Sequence, residues 1–220
     1  MQANSAQRPV MDNGLMPVQE KLVPGRVSDQ LEGWLTGDQP KTLGSLLDTS
    51  GEGSFAIIFV LLMAVPALPL PTGGVTHVFE VITMLLALEL IAGRRAVWLP
   101  GRWRRLELSG ANSQKFISTL LRRIRSLERF SRPRAPWLFG HRLSGILFGL
   151  AVLALALTAF LAPPFSGLDT LPAAGVVVLA LGYLLTDILL ASAGLAIGAL
   201  GVASVIFLGS VAVNAVEGLF

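Results

Sequence analysis

Two kinds of apolar pattern divide this chain. In the first, apolar residues recur with the period of a helix and charged residues take the other side. Over Asn112–Phe130, Phe116, Ile117, Leu120, Leu121, Ile124 and Leu127 form a stripe, and Lys115, Arg122, Arg123, Arg125 and Arg129 lie off it. Ser28–Trp34 and Lys41–Asp48 repeat the pattern in short form, with Leu31, Trp34 and Leu35, then Leu43, Leu46 and Leu47, as their apolar sides. Ser28 is the predicted N-cap of the first. Both are too short to span a bilayer and are expected at its interface, with Trp34 at headgroup depth. The basic helix is expected on an anionic membrane surface or packed on its own protein, two placements that are compatible.

The second kind is apolar on every side. Leu143–Leu168 is 26 residues without a charge, Thr170–Thr186 adds 17 and Ile188–Val216 adds 29. A bilayer core needs about 20 apolar residues as helix, so Leu143 onward can hold three helices at membrane depth. An earlier apolar stretch runs from Gly53 to Gly93. It is interrupted at Pro66-Ala67-Leu68-Pro69-Leu70-Pro71-Thr72-Gly73-Gly74, where prolines lack the amide hydrogen and clash with the preceding turn. The arm before Pro66 is about 17 Å long and the second arm, Val75–Ile91, about 25 Å. This is either a tight hairpin that just spans or a re-entrant one. Ala162-Pro163-Pro164-Phe165-Ser166-Gly167 breaks the second half in the same way.

The two breaks align at an offset of 94 residues: Pro69 on Pro163, Thr72 on Ser166, Gly73 on Gly167, Thr76 on Thr170. The amphipathic Ser28–Leu35 then falls on Arg122–Arg129. The expected fold is all-α: a polytopic integral membrane protein with two Pro/Gly-broken hairpins, interfacial amphipathic helices, a C-terminal transmembrane helix and an internal repeat. Its divisions are a disordered tail (1–27), a first repeat (28–93), a basic cytoplasmic segment (94–142), a second broken hairpin (143–187) and the C-terminal helix (188–220). That last segment either crosses once or folds back at Gly198 or Gly201. Small residues over Ala191–Gly201 permit close packing within one chain or in a homodimer.

Charge sharpens the topology. Only 14% of residues are charged, against about a quarter in soluble domains. Arg94–Arg142 carries 13 of the 17 Lys/Arg and two acids, Glu107 and Glu128. Positive loops stay in the cytoplasm, so Arg94, Arg95, Arg122, Arg123, Arg125 and Arg129 are expected to set topology and meet lipid headgroups. A basic block between apolar hairpins is no sign of a nucleic-acid partner. The absence of cysteine rules out disulfides and thiolate metal sites. No GxSxG, P-loop or HExxH motif is present. The chain is therefore read as not an enzyme, without cofactor or metal.

Ionisable residues at membrane depth are functional candidates by default. His77 and Glu80 are three apart, with Thr76, Thr83 and Ala87 on the same side of a helix. They form either a histidine–carboxylate pair pointing into the bundle, suited to proton coupling, or a pair exposed to water at the hairpin tip. Glu89 is expected to pair with Arg94 and Arg95, and Asp187 to mark the cytoplasmic end of its helix. The helix starts at Thr72–Thr76 and Ser166–Thr170 offer amides to a lipid phosphate. Thr72, Gly73, Ser166 and Gly167 thus join His77 and Glu80 as candidate substrate-binding residues.

Leu43-Gly44-Ser45-Leu46-Leu47, Pro66-Ala67-Leu68-Pro69-Leu70-Pro71, Glu89–Arg95 and Trp98-Leu99-Pro100 together resemble the ExoD family of exopolysaccharide synthesis proteins, and Ala162-Pro163-Pro164-Phe165 fits its pattern. The resemblance covers about residues 28–210. It implies a bacterial inner-membrane protein of exopolysaccharide production, with no established catalytic residues. Two roles follow as expectations. One is movement of a lipid-linked or anionic intermediate, such as a polyprenyl-phosphate-linked one. The other is a non-transporting scaffold that gathers polysaccharide-synthesis enzymes at membrane lipids.

Overall fold

The structure, a computed structural model, describes residues 27–68, 75–94, 96–130, 139, 141–163 and 166–217. The tail expected over 1–27 thus lies outside the described residues but for Val27. The described chain is helical, with one isolated antiparallel bridge. Its helices are α1 (Val27–Thr36), α2 (Leu43–Ser50), α3 (Ser54–Met63), α4 (Val75–Ile91), α5 (Gly101–Arg104), α6 (Ala111–Phe130), α7 (Arg142–Leu161), α8 (Thr170–Leu184) and α9 (Ile188–Glu217), with a 3-10 turn at Gly51–Gly53.

Helix α3 is apolar all round and is buried over most of its length, as a helix with no polar face must be. It packs against α8, while α4 packs against α7. The helix that opens each hairpin therefore lies on the helix that closes the other. Gly149 of α7 meets Ile91 and Ala87, Gly145 lies near Leu90, and His77 stacks edge-on against Phe160. These pairs step in opposite senses, so α4 and α7 are antiparallel. Gly53 meets Leu184 at the start of α3. Phe59, Phe148 and Tyr183 stack where α3, α7 and α8 meet, the last two parallel with centroids 4.2 Å apart.

Helix α9 continues through Gly198 and Gly201 without folding back. Those glycines are needed for approach. A Cβ on Gly175 would lie 2.5 Å from the Gly198 backbone, one on Gly201 2.5 Å from Pro172, and one on Gly194 would overlap the Leu179 backbone. The small residues of Ala191–Gly201 are thus used against α8 of the same chain, in an antiparallel seam of the kind small residues allow.

Helices α4 and α8 end alike. Gly93, at φ +87°, closes α4, with its amide bonded to Leu90 O and that of Arg94 to Glu89 O. Thr186, at φ +52°, does the same for α8, its amide and that of Asp187 bonding to Tyr183 O and Gly182 O. This is the Schellman arrangement, which favours glycine; Thr186 adopts it with a β-branched side chain. Asp187 is buried at the α8–α9 corner, where its carboxylate accepts the Leu189 amide at 2.9 Å.

Around this end lie the amphipathic helices. Thr42 caps α2 in a reciprocal box with Ser45. The Leu43 amide bonds to Leu106 O and the Leu108 amide to Lys41 O, tying the N-terminal helices to the basic segment. Two expectations change here. Ser28 lies within α1, and its amide and hydroxyl both donate to the Glu128 carboxylate of α6. Trp34 is 1% exposed, with its indole donating to Ser45 Oγ, so it is a core residue; among the described residues, Trp98 and Trp103 are the exposed tryptophans. Most of the apolar stripe of α6 is also spent on its own protein, with Phe116 left exposed. Ile117, Leu121 and Ile124 are buried, and Ile117 and Ile124 border a small apolar cavity with Leu31, Leu46, Ile57 and Leu184.

Helices α7 and α9 are long and apolar enough to cross a membrane, over Arg142–Leu161 and Ile188–Val211. Only 33% and 17% of these windows are buried. A core helix of a soluble protein hides its apolar surface; these turn Leu147, Leu150, Leu157, Leu200, Ile206 and Phe207 outward. That is the disposition compatible with a lipid surround.

Candidate functional site

Near the ends of α7 and α8 where the breaks lie, α4 carries polar side chains into the apolar bundle. His77 Nδ1 lies 2.6 Å from Glu80 Oε2, the spacing that a one-turn separation on a helix allows. The imidazole is 25% exposed and the carboxylate 0%. Thr76 is buried and bonded, and Thr83, one turn beyond Glu80, is fully buried. Among the described residues, neither Glu80 Oε1 nor Thr83 Oγ1 has a hydrogen-bond partner. The register of α4 on α7 sets Glu80 near the level of Ala156, about 8 Å inside the end of α7 at 1.5 Å per residue. Of the two placements open from sequence, the tip in water and the bundle interior, Glu80 takes the interior and His77 the boundary between them.

Every element packed around Glu80 is otherwise poor in charge. Helix α3 has no titratable side chain, and α7 has only Arg142, at its opposite end beside Gly93. Asp169, the residue before α8, is close enough for its charge to act on Glu80. Asp169 is legible in the sequence as an ionisable residue at membrane depth, but only the crossing of the hairpins brings it near this pair.

The other candidate residues are not gathered with this pair. Thr72, Gly73 and Arg95 lie outside the described residues. Ser166 closes a local turn: its hydroxyl donates to Pro163 O at 2.6 Å and accepts the Leu168 amide at 3.2 Å. The amides of Ser166 and Thr170 go to Pro163 O and Gly167 O. Gly167, at φ +68°, completes that turn. The amides expected to hold a phosphate there are therefore largely used within the turn.

At the arginine-rich end, Arg94 lies over the Trp98 ring and Glu89 accepts the Trp98 amide at 3.0 Å. Glu89 thus bonds backbone where an ion pair with Arg94 was expected. Arg125 pairs with Glu32 of α1, while Arg122, Arg123 and Arg129 are exposed. Among the described residues, no group of three or more His, Cys, Asp or Glu is placed to hold a metal ion.

Among the described residues, fold and site together define an all-α protein with two candidate membrane-spanning helices and, on α4, a buried carboxylate bonded to a partly exposed imidazole. Residues 27–207 match the family described as "Exopolysaccharide synthesis, ExoD". The chain belongs to the ExoD family. It is 32% identical over 153 residues to slr1875, an uncharacterized protein of Synechocystis sp., covering 70% of this chain and 71% of that one. It is 28% identical over 176 residues to Protein ExoD of Rhizobium meliloti, covering 76% and 71%. No solved structure matches.

Proposed function

We propose that this protein is a multi-pass protein of the bacterial inner membrane that moves, or helps move, an anionic lipid-linked intermediate of exopolysaccharide assembly. The role is movement rather than bond chemistry. The observation that carries it is Glu80, a carboxylate with no exposure, set beside a histidine one-quarter exposed, inside an otherwise apolar bundle. Such a group is costly at membrane depth and is kept for pathways and relays. Membership of the ExoD family supplies the process.

In this reading, Arg94–Arg142 is cytoplasmic and α7, α8 and α9 cross the bilayer. Helix α3, ten residues or about 15 Å, reaches only half-way. With α4 running back along the length of α7, it is the short arm of a hairpin that just spans. The hairpins are copies of one unit, related by an approximate two-fold axis along the bundle. The crossed packing of α3 on α8 and α4 on α7 supports this, as does the antiparallel contact of α1 with α6. Because α3 and α7 run in the same direction, the repeat is parallel rather than inverted.

The test is reconstitution in liposomes with labelled polyprenyl phosphate, comparing wild type with Glu80→Ala and His77→Ala. Wild type is expected to translocate the label, and both variants to lose at least about tenfold, the scale of a lost charged contact. No translocation by wild type under any proton gradient sinks the reading. The scaffold alternative draws on the free face of α6, whose arginines point away from a stripe already covered. Normal polysaccharide output in both variants, with loss on charge reversal at Arg122, Arg123 and Arg129, would establish that alternative instead.

A further inference from the structure

Glu80 presents two different oxygens. Oε2 meets His77 Nδ1, while Oε1 is sealed in the bundle with no partner among the described residues, as is Thr83 Oγ1 one turn deeper. A wholly buried carboxylate oxygen left unpaired costs on the order of 1–3 kcal/mol. Something that binds there is expected, and few ligands fit. A metal ion takes about six oxygen ligands, whereas two orphan oxygens stand here beside an imidazole that becomes a cation when protonated. A substrate headgroup needs room, and Glu80 and Thr83 have no exposed surface. A proton needs neither ligands nor room.

The geometry points to the His77–Glu80 pair as a proton-binding site loaded from the break end of the bundle, with Thr83 as the inner hydroxyl facing the loaded carboxyl. Without the added proton, the imidazole with its Nδ1–H and the carboxylate together carry one negative charge in a buried place. Uptake of one proton from water at the partly exposed imidazole makes the pair neutral, with the proton resting on the Glu80 carboxyl. The line of polar groups runs Thr76, His77, Glu80, Thr83 and stops. Leu86, Ala87 and Leu90 continue that side of α4 toward the arginine-rich end, the first two buried. The site is therefore open toward the breaks and closed toward the basic segment. The inference rests on the transport reading only for what the proton is used for.

The experiment is infrared difference spectroscopy of the full chain in nanodiscs, cycled between mildly alkaline and mildly acidic buffer. Sodium chloride is exchanged for choline chloride at fixed ionic strength. A carbonyl-stretch band of a protonated carboxyl is expected on acidification. It should vanish in Glu80→Gln, change frequency in Thr83→Val, and ignore the sodium exchange. No such band, a band unaltered in both variants, or a band displaced by sodium at fixed pH would overturn the assignment. The two variants answer separately, so a folding defect in one does not decide the matter. A Glu80-dependent proton band in a protein that moves no polyprenyl phosphate keeps the proton site and removes the transport role.

Discussion

Hairpin α3–α4 buries ionisable chemistry, whereas hairpin α7–α8 keeps apolar residues at the matching positions. Ninety-four residues beyond His77, Glu80 and Thr83 stand Leu171, Ala174 and Val177. The first hairpin has a short, enclosed inner arm and two unpaired buried oxygens beside the break. The second has a full-length α7 with an outward apolar face, and α8 is locked to α9 through glycines. One hairpin gives up stability to hold a polar site, and the other supplies the packing that makes this tolerable.

The largest effect is expected in the glycine seam. Gly194→Leu drives a side chain into the Leu179 backbone and should destabilise by about 3 kcal/mol, the upper end of overpacking costs. Thermal unfolding in detergent measures it. Gly209→Ala, with nothing near its added methyl, should hold or raise stability by about 0.5 kcal/mol from helix propensity. Equal losses at both positions would show that α9 does not pack as described.

The next effect sharpens the contrast between hairpins. His77→Leu leaves Glu80 buried without its partner and should cost about 2 kcal/mol, below the loss from a fully buried pair because the imidazole is partly exposed. Adding Glu80→Ala, which copies the second hairpin at both positions, should recover that loss while exopolysaccharide output stays lost. A double variant less stable than the single one would mean that Glu80 is structural.

The smallest effect lies at the helix ends. Thr186→Gly gives α8 the terminator that α4 has in Gly93. It relieves about 1 kcal/mol of left-handed strain and returns part of this as glycine's chain entropy. A net gain of about 0.5 kcal/mol is expected in the same unfolding assay.

How far the residues alone foretold this structure depended on whether the deciding force was local. Period and proline chemistry act within a few residues. They set α4 at Val75–Ile91 as expected and placed α6 within a residue of Asn112–Phe130. Partners are not local. The stripe of α6 and the indole of Trp34 were legible as apolar surface, but not which surface would cover them: lipid and protein present the same apolarity to a side chain. Ser28 looked like a cap because its hydroxyl is near a helix start; Glu128, one hundred residues away in sequence, takes it instead. The His77–Glu80 pair was legible from its spacing, whereas the approach of Asp169 and the unpaired Oε1 were not, since both follow from how the hairpins cross.

The central claim is that the bundle crosses the membrane with its breaks on the face opposite the basic segment. The chain has no cysteine, so a single introduced thiol reports sidedness alone. Ser166→Cys in the second break and Ser126→Cys on α6 both replace exposed residues. With a membrane-impermeant maleimide on intact cells, the account predicts labelling of Ser166→Cys at once and of Ser126→Cys only after the membrane is opened. Labelling of both from the same side would contradict it.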